Sequence, residues 1–394
     1  MNLLSLADSR RLPLPDGVVQ CCVTSPPYFN LRDYQVPNQI GLEKTPEEYI
    51  GNLLGVFREV WRVLRDDGVL WVNIGDSYAN DSKWGGSGSG PSTKNYTSGL
   101  GGCIGQKARR TTGYKPKELM LIPHRFAMAM QDDGWYLRSE VIWSKRSPMP
   151  ESVRDRPTRS HEQVFLFSKQ PRYFYDWYAV LEKAKYGSSG RADVKKGGFN
   201  SKYANDAARK GDESFRAISE KRNIRSVWSL SNESFKGAHY AVMPSKLVIP
   251  CIKAGSSEKG CCPECRSPWK RIVEKLRAPT RPGRDTKVTT NNPLAVGNRD
   301  PERHVTSYKS VGWEPTCDCG IDETMPCLVI DPFSGAGTVP MVADNLGHHG
   351  IGFDAGMQYC RMACERINNP HLEVAKSARV DKPMPLFDVM SGRN

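Results

Sequence analysis

Four consecutive residues, Ser25-Pro26-Pro27-Tyr28, combine a hydroxyl, two proline carbonyls and an aromatic ring directly behind a short apolar run. A proline has no N–H and pushes the residue before it into extended geometry, so the segment is stiff and its carbonyls are not recruited by a helix. Stiff, unpaired oxygens are acceptors for an amino group, with Ser25 Oγ as a second acceptor and the Tyr28 ring beneath for stacking. The amino nitrogen of a heterocyclic base is a poor nucleophile, because its lone pair is delocalised into the ring. Two acceptors pulling on its hydrogens favour a pyramidal nitrogen with a directed lone pair. They also stabilise the positive charge that builds up during attack on a methyl sulfonium. No covalent intermediate with the chain is required.

A second group lies some three hundred residues later: Asp331, Pro332, Phe333, Ser334, Gly335, Ala336, Gly337 and Thr338 follow the apolar "CLVI" and open a helix. Glycines there let the backbone turn tightly and approach a ligand, while the helix N-terminus offers unpaired N–H groups. A dinucleotide fingerprint would need a third glycine where Pro340 stands, which argues against a dehydrogenase. Asp354 closes the next strand, "HGIGFD", where a carboxylate is placed to accept hydrogen bonds from ribose hydroxyls.

A third group is made of thiols. Cys262-x-x-Cys265 and Cys317-x-Cys319 form a set suited to tetrahedral zinc, with Cys261 as a substitute ligand and buried free thiols as the alternative reading. The polar middle of this region, Lys275 to Pro315, cannot make a core by itself, and a metal clip would let it fold. His161 and His239 read as structural hydrogen-bonding groups.

The bulk properties frame these groups. A chain of 394 residues is long enough for one large α/β domain with appended pieces. The hydrophobic fraction of 38% and mean hydropathy of −0.55 imply a large share of polar loop or insertion. The N-terminus, "MNLLSLADSRRLPLPDG", carries no signal-peptide pattern and no run is of transmembrane length, so a cytoplasmic protein with no membrane partner is expected. Its twelve cysteines are then reduced. A net charge of +13 points to a polyanion, nucleic acid being the commonest. From Lys183 to Arg225 there are twelve Lys/Arg against five Asp/Glu, which alone is equally consistent with a solvated loop.

The elements that must position these residues follow from periodicity. Val18 to Val23 reads as a buried strand. Thr45 caps a helix with Pro46 at its first position and Tyr49, Leu53, Val56, Phe57, Val60, Trp61 and Leu64 on one face. "GVLWVNIGD" (68–76) is the next strand, and 79–114 is a long Gly-rich loop of the length that serves as a lid or binding loop. "KELMLIPHRFAMAMQDDG" and "HYAVMPSKLVIPCIKAG" read as helices, "WYLRSEVIWSK" and "EQVFLFSK" as strands. Their alternation argues for an α/β sheet with helices on both faces. The expected divisions are 1–181 and 327–378 for two halves of one domain, 182–235 for a basic region and 236–255 for a returning helix. A Cys-rich insertion spans 256–326, and 379–394 is a tail.

On these residues the chain resembles the amino DNA methyltransferases. Ser25-Pro26-Pro27-Tyr28 is similar to their catalytic motif and Asp331–Thr338 to their S-adenosylmethionine motif, in the order of the permuted β class. The resemblance extends over "LADSRRLPLPDG", where Asp8 is similar to the acidic residue facing the cofactor adenine. It also takes in "DRPTRSHE" and "HYAVMPSKL", the latter like the segment on the methionine side of the pocket. It implies a Rossmann-like S-adenosylmethionine-dependent methyltransferase sheet and a site-specific enzyme that flips a base out of double-stranded DNA, with 182–235 as its target-recognition region. Serine at the first motif position leans toward cytosine N4, with adenine N6 open. The resemblance also admits a homodimer and a cognate restriction endonuclease as partners. Pro250-Cys251 and Pro326-Cys327 are similar to the nucleophile dipeptide of carbon-5 cytosine methylases, but both precede the cofactor motif instead of following it. A zinc-dependent nucleic-acid-binding protein with an inert methylase fold and an RNA methylase remain alternatives. Unchanged DNA binding by Ser25→Ala without any methyl transfer marks the first, and methyl transfer to RNA in preference to duplex DNA marks the second.

Overall fold

The computed structural model describes residues 2–34, 36–79, 113–148, 150–183, 221–233, 242–279 and 304–368. Most of the Gly-rich loop, most of the basic segment, His239 and the C-terminal tail lie outside them.

The described chain divides into two units. The larger holds an eight-stranded sheet. Its strands are β1 (Asn2–Leu6), β2 (Val19–Thr24), β3 (Leu64–Ile74), β4 (Tyr136–Lys145), β5 (His161–Ser168), β8 (Val227–Leu230), β11 (Leu328–Asp331) and β12 (His349–Asp354), in the spatial order β1-β12-β11-β2-β3-β5-β4-β8. The run from β1 to β3 is parallel throughout, β5 is antiparallel to both β3 and β4, and β8 pairs parallel to β4. Adjacent residues of β2 show how both faces are covered. Cys22 joins the core built by helices α1 (Pro46–Val63) and α2 (Ile122–Asp132), whose Phe57 and Phe126 rings meet at 5.2 Å. Cys21, on the opposite face, lies under α3 (Ser245–Gly255), so close that a methyl group on Gly255 would sit 2.7 Å from its Sγ. Two further helices, α4 (Thr338–Asn345) and α5 (Met357–Asn368), flank β11, β12 and β1.

α1 begins where its sequence says: the Thr45 hydroxyl accepts from the Glu48 N–H, Pro46 stands in the first turn, and Tyr49, Leu53, Val56, Phe57 and Val60 are fully buried. Two other helices start later than periodicity suggests. Leu121 adopts a left-handed φ of 54°, so α2 opens only at Ile122. Pro244 caps α3 in extended geometry, so residues 242 and 243 stay outside it. β1 has no counterpart in the sequence reading. No helix of the described residues is long and apolar enough to cross a membrane.

The second unit carries two antiparallel pairs, β6 (Glu182–Lys183) with β7 (Lys221–Arg222), and β9 (Lys270–Pro279) with β10 (His304–Glu314). The latter is a ladder of ten paired positions where the sequence suggested only a polar stretch. Its own aromatic cluster is made by Trp177 and Tyr308, 5.0 Å apart, with the Arg271 guanidinium 5.3 Å from the Tyr178 ring and 4.2 Å from that of Trp313.

Candidate active site

β2 and β11 are hydrogen-bonded parallel neighbours, with Cys21 opposite Val329 and Cys22 opposite Ile330, although they stand at opposite ends of the chain. Parallel strands release their next residues at the same edge. The segment after β2 is Ser25-Pro26-Pro27-Tyr28 and the segment ended by β11 is Asp331-Pro332-Phe333. The pairing therefore brings both groups to one crevice outside the carboxyl ends of the strands, where open α/β sheets bind their ligands. A direct bond joins them: the Thr24 hydroxyl donates to Asp331 Oδ1 at 2.6 Å.

A cavity of about 540 Å³ opens there. It is lined by Asp8, by Ser25 through Tyr28, by Asp331 through Gly335, by Thr338 and by Asp354, so nearly every site residue expected from the sequence meets in one place. Val242 and Met243, from the segment expected at its methionine side, line it too. Gly337 does not. It serves the backbone instead, with φ +73° at the start of α4 and no room for a side chain, because a methyl group would lie 2.8 Å from Ala363 Cβ.

The glycine-rich side is held by two carboxylates. Asp331 is 3% exposed and accepts from Thr24 and from the Phe333 N–H at 3.0 Å. Burial pushes its carboxyl up to about 7, with the nearby Asp354 adding to the rise against those hydrogen bonds. Asp354 receives the Gly335 N–H at 3.0 Å on one oxygen and the Gly356 N–H at 2.8 Å on the other, and burial raises it as well. Asp8 is held in a fork by Arg10 at 2.7 to 3.1 Å, which lowers its carboxyl below the ordinary range.

On the other side the proline segment is fixed from behind. The Tyr49 hydroxyl of α1 donates to the Pro27 carbonyl at 2.8 Å. The Tyr28 ring lies on Gly75, where a methyl group would stand 2.5 Å from Cε2. Its phenol donates to Glu162 Oε2 at 2.5 Å, and Asn73 Nδ2 lies 3.0 Å from that oxygen, 3.0 Å from the phenol and 3.5 Å from Ser25 Oγ. Burial first, and the Glu162 carboxylate second, push the phenol well above its usual range, so Tyr28 stays a protonated donor. Lys145 closes the set by donating to Glu162 Oε1.

Asn73, Trp143, Lys145 and Glu162 line the cavity, and sequence reasoning did not single them out. One signal was present. Glu162 stands near the start of a strand with a central apolar run, "HEQVFLFS", and a buried carboxylate in such a strand calls for a partner.

The four thiols form a separate cluster: the Sγ atoms of Cys262, Cys265, Cys317 and Cys319 all lie within 4.8 Å of one another. Cys262 and Cys265 are joined by a tight turn in which the Arg266 N–H donates to the Cys262 carbonyl at 3.0 Å, with φ +63° at Arg266. Cys261 is not among them. It is buried and pairs with Met325 through two backbone hydrogen bonds of 2.8 and 2.9 Å.

A mixed sheet whose parallel half opens a crevice between two motif-bearing strands, one rigid with acceptors and one rich in glycine, defines the Rossmann-like methyltransferase architecture. The PvuII DNA methyltransferase (cytosine-N4-specific) shares it, with a TM-score of 0.50 at 15% identity over 94% of this chain and 88% of that one. Residues 19–262 match the family model described as DNA methylase, and the chain belongs to that N6/N4 family. It is 43% identical over 247 residues to the type II methyltransferase M.XycI of Xanthomonas campestris pv. cyanopsidis, covering 63% of this chain and 69% of that protein. It is also 40% identical over 248 residues to the type II methyltransferase M.SmaI of Serratia marcescens, covering 63% of this chain and 72% of that one. The chain is thus a site-specific DNA methyltransferase of the amino class, with DNA as its substrate.

Proposed function

We propose that the chain methylates the N4 amino group of a cytosine flipped out of double-stranded DNA, with S-adenosylmethionine as the donor, in the permuted β-class order. The observation that carries this reading is the meeting of Ser25–Tyr28 with Asp331–Ala336 and Thr338 in one cavity. Because Tyr49 occupies the Pro27 carbonyl, the Pro26 carbonyl and Ser25 Oγ are the acceptors for the two amino hydrogens. Tyr28 stacks on the base. The lean toward cytosine rests on serine at position 25, which in this family is typical of N4 enzymes. Adenine N6 is the alternative.

The cofactor fits the chemistry of the lining. Asp354, held at the tip of β12 by two glycine N–H groups, keeps acceptor capacity for ribose hydroxyls, Phe333 and Met243 supply apolar surface, and Asp8 offers an acceptor at the adenine side. When bound, the sulfonium supplies an electrophilic methyl group. The chain's own work is to hold the amino nitrogen between two oxygens, exclude water and keep Tyr28 neutral. Unstacking the base costs a few kcal/mol, which the stack and edge hydrogen bonds offset.

The thiol cluster suits a structural zinc, since Zn–S bonds of about 2.3 Å put tetrahedral sulfurs roughly 3.8 Å apart. The basic region 182–235 is read as target recognition. Kinship to type II enzymes suggests a companion restriction endonuclease, and the β-class order suggests a homodimer. The deciding experiment is sequencing of modified bases in DNA from cells expressing the chain. N4-methylcytosine in one recurring motif is expected. N6-methyladenine there would overturn the cytosine reading, and unmodified DNA the whole of it.

A further inference from the structure

Three polar side chains, of Asn73, Lys145 and Glu162, share one face of the sheet at the ends of β3, β4 and β5. In the antiparallel register of β4 and β5, Trp143 stands opposite Glu162, and Lys145 follows two residues on, hence on the same face. Asn73 of β3 stands opposite Val164, two residues from Glu162. These residues converge on the Tyr28 phenol. Glu162 accepts from Tyr28 and Asn73 on one oxygen and from Lys145 on the other. The Glu162 side chain is 11% exposed and that of Lys145 21%.

A near-buried ion pair is a poor device for stability alone, since apolar residues of similar volume usually serve a core as well or better. Asn73 points the same way: its amide is turned so that Nδ2 serves Glu162 and Tyr28, which leaves Oδ1 buried without a donor among the described groups. The arrangement gives up local satisfaction to fix one phenol. Its chemical value is plain. A phenol hydrogen-bonded to a carboxylate has a more electron-rich ring, and the base stacked on that ring gains positive charge as its amino group is methylated.

We propose that Glu162 is a positioning residue of the methyl-acceptor pocket, acting through the Tyr28 phenol to set the plane and electron density of the ring, with Lys145 balancing its charge. This rests on the methyltransferase reading above. Because the benefit grows with charge on the base, it is spent in the transition state and falls on kcat more than on KM.

The test is a double-mutant cycle on the full chain, with tritiated methyl transfer to duplex DNA carrying its recognition motif. Glu162→Gln is expected to lower kcat 10- to 100-fold while the KM for DNA and the cofactor Kd stay within threefold. Tyr28→Phe keeps the ring and loses the phenol. In that background the added Glu162→Gln should cost less than threefold. Should Glu162→Gln destabilise the chain, Glu162→Gln with Lys145→Met removes both charges together, and the same kcat loss is expected of it. A kcat within threefold of the parent, or losses that multiply independently of Tyr28, overturns the proposal. A parent chain that transfers no methyl group to any DNA overturns the underlying reading as well, so the two failures are distinct.

Discussion

At the scale of single residues, the site is built from groups held in states they would not choose in water. Asp331 is the sharpest case. Its folded value near 7, against about 4 for an ordinary aspartate, means that between those limits the folded chain holds a proton the unfolded chain has released. This contribution to stability is complete below about pH 4 and is lost as the pH rises through 7. Urea midpoints should therefore be higher at pH 5 than at pH 8. Asp331→Asn, which retains an oxygen for Thr24 and Phe333, should flatten most of that slope and gain up to about 4 kcal/mol at pH 8. A smaller slope of the same sign remains, because burial raises Asp354 too. Gly75 gives a steric prediction. A methyl group there meets the Tyr28 ring at 2.5 to 3.2 Å, so Gly75→Ala should displace the ring and cut kcat at least tenfold while cofactor binding, read by fluorescence titration, is unchanged.

Among the elements, α1 was legible because three independent signals agree: a capping threonine, a proline in the first turn and a sustained apolar face. Thr45→Ala should remove one of them and cost about 1 kcal/mol by urea titration, with KM unaffected. β1 was not legible. Five residues at the sheet's edge, with Leu3 and Leu6 about half exposed, show none of the alternation that a strand with one buried face displays. The β9/β10 ladder was missed for a related reason: "KRIVEKLRAP" carries charges at half its positions, and Ile272 and Leu276 are exposed, so no apolar stripe marks it. The thiols bracket that ladder in the chain, Cys262 and Cys265 before it and Cys317 and Cys319 after it. One zinc per chain is expected by metal analysis of the purified protein. Cys317→Ser with Cys319→Ser should lose the metal and leave β9 and β10 open to protease, and a metal-free parent with the same protease resistance there would remove the clip.

For the molecule as a whole, both chemical motifs could be read as islands, because each carries its signal within eight residues. What joins them could not. Glu162 reaches Tyr28, and Lys145 reaches Glu162, only because β5 returns antiparallel between β3 and β4, a choice of neighbour that no local pattern records. The Thr24–Asp331 bond belongs to this scale, since it spans 307 residues and ties the acceptor strand to the cofactor strand. Thr24→Val keeps the shape and removes the donor, which leaves a buried carboxyl short of a partner at a cost of about 1–3 kcal/mol. The sign with pH follows from the same bond. Thr24 favours the charged form of Asp331, so its loss moves that carboxyl further above 7. At pH 5 the carboxyl is protonated in both proteins and the penalty is small. At pH 8 the variant must either bury a less supported charge or hold a proton against the solvent, and the penalty is larger. Urea titrations of Thr24→Val and the parent at the two pH values separate a hydrogen bond from mere packing. A loss clearly greater at pH 8 is the mark of the bond, and equal losses would reduce Thr24 to a filler of space between strands that meet for other reasons.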